Sequence, residues 1–133
     1  MLQDLRSGVI YQNPLAHIVS RHAYFPSSIQ LSSGELIAAF TIGQAFEAVD
    51  CQLYLSRSQD LGESWSEPTP VSPELTTQET SECGRISVID DQAVLLLQQC
   101  DRHDFPGEGL TNPNNIGFVP TQFKIKHAQD EAA

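Results

Sequence analysis

The sequence predicts an all-β chain built from two similar antiparallel units. Three observations carry that reading. Short apolar or alternating runs of strand length recur at 24–31, 36–42, 52–57 and 85–97, a spacing that suits hairpins rather than helices. Turn-forming residues separate them, as in Ser32-Ser33-Gly34, where glycine can take a positive φ at no steric cost. The later strands also repeat the earlier ones, and no segment shows a helical period.

Residues 1–22 read as an irregular lead-in containing Asn13-Pro14, and residues 23–72 as a first unit. Its strands are expected at 24–31, 36–42, 52–57 and, briefly, 67–71. The run 36–42 is apolar on both faces, with Leu36, Ala38, Phe40 and Ile42 on one side and Ile37, Ala39 and Thr41 on the other. Such a strand belongs in the middle of a layered structure. Residues 73–133 read as a second unit, in which 85–97 repeats the strand, turn and buried strand of 28–40. The segment 122–130 repeats 52–60, so Asp130 falls where Asp60 falls, and Glu131-Ala132-Ala133 follow it. Between them runs a loop, 100–121, rich in Pro, Gly and Asn and long enough to be functional or an insertion.

The densest local signal is Ser58-Gln59-Asp60-Leu61-Gly62-Glu63-Ser64-Trp65, directly after the alternating third strand. A short carboxylate such as Asp60 can accept hydrogen bonds from the amides of its own turn. Gly62 supplies a positive φ, and Trp65 gives the turn an apolar anchor. The predicted role of Ser58, Asp60, Gly62 and Trp65 is therefore structural.

This S-x-D-x-G-x-S-W pattern resembles the Asp-box, or BNR repeat, of the sialidase (neuraminidase) superfamily, and the resemblance extends over about residues 20–130. It implies a six-bladed type of β-propeller whose Asp-boxes lie on the rim away from substrate. Propellers use about 4–8 four-stranded blades, and repeats of this kind take about 40–50 residues. A chain of 133 residues then holds about two blades, so the resemblance implies an incomplete propeller, part of something larger. Tyr24-Phe25-Pro26 occupies the place of the family's Arg-Ile-Pro motif. That arginine belongs to a cluster gripping the sialic acid carboxylate, a bidentate task a tyrosine cannot perform. Arg21 lies nearby, although on a strand it would face away from Tyr24. Asp50 matches the family's acid/base aspartate, and Glu47 in the same loop is an alternative; both are also what a solvated loop of an acidic chain would carry. In the cluster Asp101-Arg102-His103-Asp104, either Arg102 and His103 line a sugar pocket or Arg102 pairs with Asp101 or Asp104 at the surface. The family's tyrosine–glutamate nucleophile pair has no match here.

Composition narrows the partners. Seven Lys and Arg stand against 17 Asp and Glu, for a net charge of −10. That balance disfavours nucleic acid and anionic membranes, and it would repel an anionic sugar without a local arginine cluster. No signal peptide or membrane-length apolar run is visible, so a cytoplasmic location is expected. Cys51, Cys83 and Cys100 are odd in number and widely spaced, and His17, His22, His103 and His127 lack ligand-like spacing. Free thiols, no metal site and no cofactor are the expectation.

Three functions remain open. The chain descends from an exo-α-sialidase or related glycoside hydrolase acting on terminal sugars and is itself inactive; it is a non-catalytic module binding a glycan or protein; or it is a folded chain without activity. Unclosed apolar faces around 36–42 and 94–97 further predict that copies associate, as about three two-bladed chains would complete a ring.

Overall fold

The computed structural model describes residues 6–14, 21–45, 48, 50–75 and 80–101. Glu47, Arg102 and His103, the loop beyond residue 101 and the repeat at 122–130 lie outside the described residues. The described residues form two antiparallel sheets, one four-stranded and one two-stranded, with a short 3-10 turn, Pro73–Leu75, between them. Among the described residues there is no α-helix.

The first sheet has the order β1-β2-β3-β4, formed by β1 (His22–Gln30), β2 (Leu36–Gly43), β3 (Gln52–Ser58) and β4 (Thr69–Pro70). β1 starts earlier than the apolar pattern suggests, because His22 already pairs with Gly43. Its register shifts between Tyr24 and Ser27, where Phe25 and Pro26 together oppose one residue of β2, and Phe25 takes φ 53. A bulge of this sort re-aims a side chain, and a left-handed residue before proline is an uncommon backbone state. β4 is only two residues long; Pro70 faces Tyr54 at a position whose N–H would point away from β3, and the next amide, Val71, still donates to Leu53 O at 2.9 Å. The lead-in residues 6–14 carry neither strand nor helix.

The second sheet pairs β5 (Thr80–Ile89) with β6 (Gln92–Asp101) over their whole length. Asp90 and Asp91 connect them, both at positive φ (50 and 58). A two-residue hairpin of this twist requires that conformation twice, and Asp tolerates it better than most side chains. β6 runs on to Asp101, so Cys100 and Asp101 belong to the strand rather than to the predicted loop.

The sheets pack face to face. On one side of the first sheet, Ile37, Ala39 and Leu53 close against Ile86 of β5, with Leu95 and Leu97 of β6 at the margin. On the other side, Ala38, Phe40 and Ile42 are covered by Ile10 and Tyr11 of the lead-in, together with Tyr54 and Trp65. The Tyr11 and Phe40 rings lie 6.0 Å apart. β2 is thus enclosed on both faces, as its composition predicts. This corrects the premise that 36–42 is short of neighbours: the lead-in covers the face a further layer would occupy. The reading of 94–97 as a buried strand is also corrected. Leu95 and Leu97 turn inward, while Val94 (41% exposed) and Leu96 (75%) face out with Ile89, because the first sheet covers only one side of a two-stranded layer.

Candidate functional site

The turn between β3 and β4 is a closed hydrogen-bonded unit. Asp60 accepts from the Ser64 amide at 2.9 Å and the Ser64 hydroxyl at 2.5 Å, and from the buried Ser58 hydroxyl at 2.8 Å. The Gly62 amide donates to Ser58 Oγ at 2.8 Å. Those donors, the Ser64 hydroxyl foremost, hold the Asp60 carboxyl at about 2, below its ordinary 3.8. Gly62 takes φ 88, as its place in the pattern requires, and Leu61 before it also sits at positive φ (57). Ser66 then bonds back to β3: its amide donates to Arg57 O at 2.8 Å, its hydroxyl accepts from Arg57 N, and its carbonyl accepts from Ser56 Oγ. Trp65 packs half-buried on the Ala38, Phe40 and Ile42 cluster. Arg6 pairs with Glu63 and brings the lead-in alongside. The contacts of Asp60 and Ser58 are made within the turn itself and hold its backbone.

Asp50 and Tyr24 come together at the other end of β2. Asp50 is half-buried, and its Oδ1 accepts from the Gln44 amide at 3.1 Å, bridging the loop between β2 and β3. That loop is tightened by Cys51, whose amide donates to Ala48 O and whose thiol donates to Ala45 O, each at 3.1 Å. Tyr24 pairs with Thr41 in the ladder, so the two side chains share a sheet face. Burial raises the Tyr24 phenol above its ordinary value, and the neighbouring Cys51 and Asp50 push it the same way. The His22 and Phe25 rings lie 6.3 and 6.4 Å from the Tyr24 ring. Arg21 precedes β1 rather than lying within it; it is exposed, and its carbonyl accepts from the Tyr11 hydroxyl at 3.0 Å. The arrangement therefore joins one carboxylate to a short row of aromatic rings. Among the described residues, no three His, Cys, Asp or Glu side chains converge as metal ligands would.

Sequence reasoning missed Glu82. It is 2% exposed in β5, where the two sheets meet. Leu53 N donates to its Oε2 at 3.1 Å, and Gln99 Nε2 to its Oε1 at 2.8 Å. Its backbone N–H donates to Cys51 O, and its carbonyl accepts from Thr41 Oγ1. Leu53 O takes the Val71 amide just beyond β4, so Glu82 supplies the acceptor that the short β4 does not. The only signal in sequence was an acid flanked by the small residues Ser81 and Cys83.

No family model, no curated protein and no solved structure matches this chain.

Proposed function

We propose that the chain is a pair of sialidase-like propeller blades, related to exo-α-sialidases and other glycoside hydrolases that act on terminal sugars, and that it has no turnover of its own. The observation that carries the proposal is the turn around Asp60. It has the Asp-box sequence, its carboxylate ties its own backbone, and it joins the third and fourth strands of a four-stranded antiparallel sheet. Packing of β5 against the face of that sheet fits the order in which one blade follows another. Asp50 supplies a carboxylate at the acid/base position, but Tyr24 stands where a carboxylate-binding arginine is needed. Losing members of a pre-positioned constellation removes most of its rate advantage.

A second reading, glycan binding without chemistry, is favoured by the row of His22, Tyr24 and Phe25 rings beside Asp50. Aromatic walls with a few convergent polar groups are what small-molecule sites use. The outer face of β5 and β6, with Ile89, Val94 and Leu96 exposed, is where association of copies is expected, and light scattering reads that directly.

A fluorogenic sialoside assay on the whole chain tests the main reading. The expected result is no turnover above the blank. Turnover that disappears in Asp50→Ala would overturn it and make Asp50 the general acid. Saturation-transfer NMR with sialyllactose and lactose separates the second reading, which requires a signal that Tyr24→Ala abolishes.

A further inference from the structure

A concave surface of about 280 Å³ lies where the bulge of β1 meets β5 and β6. Phe25, Cys83, Gly84, Arg85, Leu96 and Gln98 line it. The bulge places Phe25 there: after the left-handed step, Ser27 Oγ accepts from the Ile86 amide at 3.2 Å and fastens β1 to β5. Phe25 and Leu96 stay 41% and 75% exposed, so two apolar walls face solvent. Arg85 sits opposite Leu96 and Cys83 opposite Gln98 in the ladder, which puts all four side chains on the outward face of the sheet. The Cys83 thiol points to Gln98 Oε1 at 3.8 Å.

Charge selects the occupant. Arg6 and Arg57 each pair with a glutamate, whereas Arg85, like Arg21, forms no ion pair among the described residues. In a chain of net charge −10, a guanidinium without an acidic partner among the described residues, set beside an apolar wall, is suited to an anion. One guanidinium matches one carboxylate in bidentate geometry. The volume is near the lower bound of small-molecule sites, about 300 Å³, which admits roughly one ring and a short arm.

We propose that this cleft binds a small organic monocarboxylate with a flat apolar body, its carboxylate on Arg85 and its body between Phe25 and Leu96. The ligand class follows from these side chains alone and does not depend on the glycosidase reading.

The test is an amide NMR titration of the whole chain with 3-phenylpropionate, using the uncharged 3-phenylpropionamide as control. A probe of this size binds at about millimolar strength. Shifts should cluster at Phe25, 83–85 and 96–98 and saturate with the acid. The amide probe, or the acid with Arg85→Gln, should bind about tenfold more weakly or worse, the worth of a hydrogen bond to a charged group. Arg85 is exposed, so that variant should keep the parent spectrum elsewhere. Shifts that are absent, scattered, or equal for acid and amide would overturn the proposal, as would unchanged binding in a folded Arg85→Gln variant.

Discussion

β2 and β6 are each the hairpin partner of a leading strand, and both read as apolar runs, but β2 lies between β1 and β3 whereas β6 pairs with β5 alone among the described residues. Their surroundings differ. In β2 every residue after Leu36 is buried, whereas in β6 Leu95 and Leu97 are half-buried and Val94 and Leu96 face solvent. The first strand lies between two layers: the second sheet on one side, and Ile10, Tyr11 and Trp65 on the other. Among the described residues, the second has a layer on one side only. An apolar run states how many faces of a strand can be buried, while the neighbours decide how many are.

The largest test of that contrast is a pair of truncations. Ile37→Ala, in the enclosed strand at 1% exposure, should destabilise the chain by about 2–5 kcal/mol, through lost transfer energy and a cavity. Leu96→Ala, at 75% exposure, should stay within about 0.5 kcal/mol of the parent. Urea unfolding of both variants checks this, and similar losses would erase the distinction.

Glu82→Ala comes next, because it acts at the junction of the two sheets. It strands the Leu53 amide, on a residue that is 0% exposed, and leaves Gln99 Nε2 with only its longer bond to Ser72 Oγ among the described residues. An unsatisfied buried donor costs about 1–3 kcal/mol. A midpoint unchanged in urea would show that Glu82 does not join the sheets.

Asp60→Asn should have a smaller effect with a distinctive pH dependence. The folded-state carboxyl is depressed, so its stabilisation is present above the ordinary 3.8 and is lost as pH falls towards about 2. Asp91, held low by the Ser32 hydroxyl and amide, titrates in the same direction. The parent's melting temperature should therefore fall more steeply over that window than that of Asp60→Asn. Parallel curves would mean that the Asp60 bonds contribute no net stability.

Legibility in the sequence followed the same division. The both-face apolar pattern of 36–42, the Gly34 turn (φ 90) and the backbone role of Asp60 and Gly62 were readable because each rests on local chemistry. The opening of β5 was not. Thr80-Ser81-Glu82-Cys83-Gly84 has little β-propensity, and it is a strand because tertiary contacts demand one: a Cβ on Gly84 would come within 2.7 Å of Leu53 Cδ2 and 2.8 Å of Leu96 O. The Phe25 bulge was equally hidden, since a residue before proline ordinarily stays extended. Of the candidate site, Asp50 and Tyr24 were named from the sequence, but the tie from Asp50 to Gln44 and the flanking His22 and Phe25 rings depend on how the ends of β1 and β2 converge.

Amide hydrogen exchange on the whole chain tests the central claim most directly: the Asp60 turn fastens an enclosed first sheet, and the second sheet is covered on one face. The account predicts the slowest exchange at 37–42 and 53–56, clear protection of the Gly62 and Ser64 amides that Asp60→Asn weakens at Ser64, and faster exchange at 94–97. Protection at 94–97 equal to that at 37–42, or Gly62 and Ser64 amides exchanging at unprotected rates, would contradict it.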